Sequence, residues 1–173
     1  MEPDKVQEVY DALAGGGADV PEDEALVDAL LDKVFEARRS RDVKVRMAAL
    51  HVAEAIGQRS GLDFVETFMQ DPAIEVRRYA FNLGIAAKQE GLRIIREAAA
   101  DPDPGLALEA LRLLTVAADR SSTTRARVLL SHDDPRVRAA AIRLLGHVAG
   151  PAVRRQLEVQ ATHPDPAVRA AVE

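Results

Sequence analysis

Arginines and carboxylates recur in phase along this chain, and they carry most of its capacity for chemistry. Arg46, Arg77, Arg138 and Arg169 each follow a Val and recur at multiples of about 31 residues, with Ala107 breaking the series. Asp42, Asp103, Asp134 and Asp165 stand four residues before the same positions. Ala73 is the gap in that row, because Asp71 falls two residues early. A guanidinium is a planar fork that takes carboxylates or phosphates two bonds at a time. The row can therefore bind phosphate, or it can pair each Arg with the Asp of a neighbouring repeat. Opposite charges recurring in phase favour the structural ladder.

A second set of charges forms two columns. One reads Asp63, Arg93, Thr124 and Arg155; the other reads Glu66, Arg96, Arg127 and Glu158. Arg93, Arg96, Arg127 and Arg155 would make a basic strip whose natural complement is an acidic peptide or an acidic protein face. The plain alternative is a solvated helix face of mixed charge.

The remaining reactive residue types give weaker patterns. His132 and His163 are one period apart, which places them in equivalent turns and too far apart to share a metal. His51 and His147 show no HExxH-like spacing and are expected at the surface. Gly15-Gly16-Gly17 lacks the Gly-Lys-Ser/Thr of a phosphate loop and reads as a connector running to Pro21. No Ser or Thr sits in a nucleophile elbow. No catalytic residue, metal site or cofactor is expected.

Elements that could position these charges follow from the period itself. The segments RDVKVRMAALHVAEAIG from Arg41, DPAIEVRRYAFNLGIAA from Asp71, DPGLALEALRLLTVAA from Asp103 and DPRVRAAAIRLLGHVAG from Asp134 are versions of one another. Periods of this size mean stacked helical hairpins. Asp-Pro at 71, 103, 134 and 165 reads as an N-cap carboxylate followed by Pro at the first helical position. Asp42 takes the same place without its Pro. First helices carry stripes such as Val45, Ala49, Val52, Ile56 and Leu106, Ala110, Leu113, Ala117. Breaks are expected at 57–61, 88–91, 119–122 and 150–151. Second helices should follow over 62–70, 92–100, 123–131 and 152–161, with Val65, Ile95, Ala126 and Leu157 inward. The fold class is all-α, an α-solenoid of stacked antiparallel hairpins. The organisation expected is one domain, 1–173, with a divergent capping hairpin at 1–40. Repeats follow at about 41–70, 71–100, 101–131 and 132–162, and a partial one at 163–173. That last copy has only a first helix, which would leave Val168, Ala171 and Val172 uncovered and open to a partner or a second copy of the chain.

The run Asp134-Pro135-Arg136-Val137-Arg138 through Leu144-Leu145-Gly146 resembles a HEAT repeat. It is closest to the short bacterial type first associated with phycobilisome lyases. The resemblance covers residue 41 onward and implies that each repeat Arg meets the Asp of a neighbouring repeat. It also implies that the second helices line the concave face.

Composition narrows the function classes. There is no Cys, so neither a disulfide framework nor a thiolate metal site is available. Residues 1–40 hold eleven acids against four bases, and the rest holds seventeen against nineteen. An acidic cap on a near-neutral array, with no Trp, argues against a nucleic-acid footprint. The N-terminus is acidic and amphipathic, unlike a signal peptide, and no run approaches the roughly 20 apolar residues of a membrane span. A cytoplasmic, non-enzymatic protein-interaction scaffold is the reading these features favour, with an enzyme accessory subunit of phycobilin-lyase type as the alternative.

Overall fold

The structure, a computed structural model, describes residues 3–60, 62–148, 153 and 157–171. Arg155, Val172 and the side chain of Gln160 lie outside the described residues. Helices and turns make up every described element, as expected of an all-α chain. The residues fall into two compact units, 1–94 and 95–173.

In the first unit, α1 (Pro3–Ala14) and α2 (Glu24–Ala37) form a hairpin that packs on α3 (Val43–Ser60), and α3 packs on α5 (Ile74–Ala86). Between them lies a short second helix, α4 (Asp63–Glu66), which tightens into a 3₁₀ turn at Thr67–Gln70. The Thr67 hydroxyl donates to the Phe64 carbonyl at 2.7 Å, a back-bond that suits this tighter turn. α6 (Leu92–Ala98) carries the chain from the first unit into the second.

The second unit repeats the scheme. α7 (Pro104–Val116) and α9 (Pro135–Val148) pack together, and α8 (Thr123–Val128) packs on α9. α8 is flanked by 3₁₀ turns at Arg120–Ser122 and Leu129–Ser131. A last helix, α10 (Pro166–Ala170), packs on α9 and on the turn Val159–Thr162.

Helix starts largely follow the capping chemistry. Asp103 accepts from the Leu106 amide and Asp165 from the Ala167 amide, with Pro next in chain in both cases. Asp42 accepts from the Lys44 amide at 2.8 Å. Asp71-Pro72 departs from this. The N-cap of α5 is Ala73, and Asp71 stands two residues outside the helix, taking the Ala73 amide at 2.8 Å. A second departure is Gly57, which was expected in a break but lies inside α3.

The inward residues of the second helices, Val65, Ile95, Ala126 and Leu157, are all buried. Along the first helices Ala49, Val52, Ile56, Val76 and Ala80 are sealed, and so are Val137, Ala141 and Leu144. Val45 differs: it is 41 % exposed, the one stripe position at a helix start that the core leaves open. In α7 the stripe closes on Leu114, while Leu113 is half-buried and Ala117, beyond the helix end, is exposed. Val168, expected to be uncovered, is fully buried because α9 and the preceding turn close over it. The basis for an open apolar end at that residue is therefore removed.

Gly84 and Gly91 permit the closest approach in the first unit. A Cβ on Gly84 would lie 2.9 Å from Ile94 side-chain carbons, and one on Gly91 would run into the Gly84 carbonyl oxygen. Only hydrogen at both sites lets α5 meet the chain entering α6.

Candidate functional site

The in-phase charges occupy two sites with different chemistry. The first lies at the turn that opens each repeat. In every copy that has the Arg, its Nη1 donates to the carbonyls six and five residues earlier. Arg46 reaches Ser40 and Arg41 at 2.9 and 3.2 Å, and Arg77 reaches Asp71 and Pro72 at 2.9 and 3.2 Å. Arg138 reaches His132 and Asp133 at 2.7 and 2.8 Å, and Arg169 reaches His163 and Pro164, both at 2.8 Å. Each guanidinium therefore clasps the entrance turn of its own repeat with one edge. The carbonyls it takes have no partner within a helix, so the clasp removes the cost of burying them unpaired.

The other edge makes the link between repeats, and its acid differs from the one expected. Arg46 Nε donates to Asp71 Oδ2 at 2.7 Å and Nη2 donates to Oδ1 at 3.0 Å. Asp42, Asp134 and Asp165 serve instead as caps for their own helices; Asp134 also pairs with Arg136 at 2.7 Å. Arg136 hydrogen bonding, with help from amides of the first turn, pulls the Asp134 carboxyl down to about 2. The acid of this pair, Asp71, thus sits two residues ahead of the N-cap Ala73. That N-cap has no carboxylate, and Asp71 reaches back to the Arg46 of the preceding repeat.

The position of Asp71 is itself a column: Ser40, Asp71, Asp101, His132 and His163. Each member accepts the amide two residues on, the last two through ring Nδ1 at 3.0 Å. The two His are thus turn acceptors, equivalent as their spacing predicts, and each carries its ring hydrogen on Nε2 when neutral. His163 stands 25 residues after Arg138, the same step as from Arg46 to Asp71. Correspondingly, Arg138 Nε is buried without a hydrogen-bond partner.

The second site is the exposed side of the second helices. In the first unit Arg93 Nη1 pairs with Asp63 at 2.7 Å and its Nη2 with Glu66 at 3.0 Å, so these three columnar residues do come together. Arg93 and Asp63 are well exposed. In the second unit Arg96 is bound bidentately to Asp119, at 2.8 and 2.9 Å. Ser122 also donates to that carboxylate. Arg96 first, and then the Ser122 hydroxyl, hold the Asp119 carboxyl below the usual range against the opposing effect of burial. Arg125 pairs with Glu97 at 2.7 Å and donates to the Arg96 carbonyl. Arg127 is exposed and makes no ion pair with a described residue. Of the strip expected to be basic, Arg93 and Arg96 are therefore held by carboxylates, while Arg155 lies outside the described residues. Asp119, Arg125 and Glu97 were not among the residues singled out by phase; Asp119 falls in an inter-helix link, where no column points to it.

His51 also departs from expectation. It is half-buried, with its ring 5.0 Å from that of Tyr79 and Nδ1 3.3 Å from the Ala14 carbonyl oxygen.

No helix among the described residues is long and apolar enough to cross a membrane. No curated protein matches the chain. Residues 92–173 match the family model for HEAT repeats. That match coincides with the hairpins, Asp-Pro starts and Arg clasps of the second unit, and the first unit carries the same clasp at Arg46 and Arg77. Residues 92–173 are thus similar to HEAT repeats, and the architecture is all-α, of the solenoid class.

Proposed function

We propose that this protein is a non-enzymatic scaffold that binds a protein partner through the exposed side of its second helices. HEAT repeats commonly serve as interaction modules, and helices with exposed charges held in fixed geometry suit that use. The observation that carries the reading is the arrangement of Arg93, Asp63 and Glu66. A 60 % exposed guanidinium is held by two carboxylates, over a helix whose Val65 side is sealed in the core. Such a group is ordered before a partner arrives, so less conformational freedom is lost on binding. Arg127 is exposed and makes no ion pair with a described residue, and its complement is a carboxylate of the partner. The net charge of −5 supports a protein over a nucleic acid as that partner.

The test is affinity capture from the native cell with the full chain and with Arg93→Glu/Arg127→Glu. Both substitutions lie outside the core and the turn clasps, so the helical circular dichroism should be unchanged. Partners retained by the wild type should be lost from the variant. Recovery of the same set with both baits overturns the assignment of this face.

A further inference from the structure

We infer that an open cavity in the first unit is a receptor for a basic side chain, an alkyl-borne guanidinium or ammonium, of a protein partner. The cavity, about 440 Å³, lies where the C-terminal end of α1 and the connector through Val20 meet α3 and α5. Its polar wall is made by Glu54, Asp19, His51 and Tyr79, and none of the described residues lining it is a Lys or Arg. Leu13, Ala55 and Val20 supply apolar surface.

Every oriented group in this wall favours positive charge. The Tyr79 hydroxyl donates to Glu54 Oε2 at 2.8 Å, which fixes the carboxylate and leaves Oε1 as an acceptor. Burial, and then the Glu54 carboxylate, push the Tyr79 phenol up to about 12, so it stays a donor and does not compete for a cation's role. The Ala14 carbonyl can only accept, so the facing Nδ1 of His51 carries hydrogen and Nε2 is left as an acceptor when the ring is neutral. α1 ends here, and the amides of Gly15, Gly16 and Gly17 fold back onto the carbonyls of Asp11, Leu13 and Ala12. This turn, with Gly16 at φ 72°, keeps the negative end of the helix dipole at the cavity mouth. Tyr79 brings an aromatic ring, a group that attracts cations, to the lining, and the apolar residues suit the methylenes of an Arg or Lys stem.

The cavity shares no residue with the second-helix face. Its test is therefore independent of the capture experiment above, and either can fail alone. Histidine and tyrosine ring resonances of the full chain are followed by NMR during titration with three blocked tripeptides. These are Gly-Arg-Gly, Gly-Lys-Gly and the neutral isostere Gly-citrulline-Gly. His51 and Tyr79 signals should shift saturably with the Arg or Lys peptide, and the citrulline peptide should bind at least about tenfold more weakly. Glu54→Gln, which keeps an acceptor for Tyr79, should weaken the cationic peptide by about tenfold or more. Asp19→Asn, in the exposed connector, should weaken it by a smaller factor. Equal binding of citrulline, an unchanged Glu54→Gln titration, or no saturable shift with either cationic peptide overturns the inference.

Discussion

Arg46 and Asp71 meet through two parallel hydrogen bonds, with side-chain exposures of only 8 % and 2 %. Removing one partner of such a pair leaves a charge stranded away from water, whereas removing both charges does not. Arg46→Met should lower unfolding stability by about 3 kcal/mol in urea titration. Arg46→Met/Asp71→Asn keeps an acceptor for the Ala73 amide and should recover at least about 1 kcal/mol of that loss. A double variant no more stable than the single one would show that the stranded carboxylate is not what the single substitution costs.

Restoring an acid where the ladder lacks one should strengthen the C-terminal repeats. His163→Asp puts a carboxylate 25 residues after Arg138, whose Nε is buried and unmatched, while retaining an acceptor for the Asp165 amide. The expected gain is about 1–2 kcal/mol at neutral pH, read from the denaturation midpoint. It should disappear in an Arg138→Met background. A gain that persists there would place its origin elsewhere.

The Arg row is legible in the sequence as a recurring residue, but the acid that meets Arg46 stands two residues ahead of the position in phase with Asp42, Asp103, Asp134 and Asp165. Asp-Pro occurs at both 101–102 and 103–104, and only the second dipeptide opens a helix. Asp71-Pro72 is in phase with the first, 30 residues earlier, so aligning those two dipeptides identifies the correct column. Stripes and inward residues of the second helices were legible because burial imposes a period. The Arg96–Asp119 pair and the cavity at His51 were not. They depend on how links and a divergent hairpin fold back, and neither obeys the repeat.

Asp119 makes one part of the second unit sensitive to acid. Its carboxyl is held below the ordinary range by Arg96, so it binds protons less readily in the folded than in the unfolded chain. The stability from this pair is therefore fully present above the unfolded carboxylate range, near pH 4, and is lost as pH falls through the lower folded value. Carbonyl-carbon NMR should show Asp119 titrating below exposed aspartates. Asp119→Asn should cost about 1–3 kcal/mol at neutral pH and progressively less in acid. A cost independent of pH would break this linkage.

Ala118 is held at φ 49° just past the end of α7, and the Asp119 amide bonds back to the Leu114 carbonyl. A side chain in this left-handed conformation costs about 1–2 kcal/mol, and glycine avoids it. Set against the extra freedom glycine gives the unfolded chain, Ala118→Gly should raise stability by up to about 1 kcal/mol. Thermal unfolding of the two chains decides this; a lower midpoint for the variant would contradict it.

The Arg clasp never reaches further than six residues along the chain, and the Arg46–Asp71 bond spans 25. Contacts this short in sequence can form while a polypeptide is still emerging from the ribosome, with no distant segment awaited. Each new hairpin needs only its predecessor to dock upon. An array made this way can lengthen or shorten by a whole repeat without redesign of the others, and Ala107 shows that one copy can even forgo the clasp.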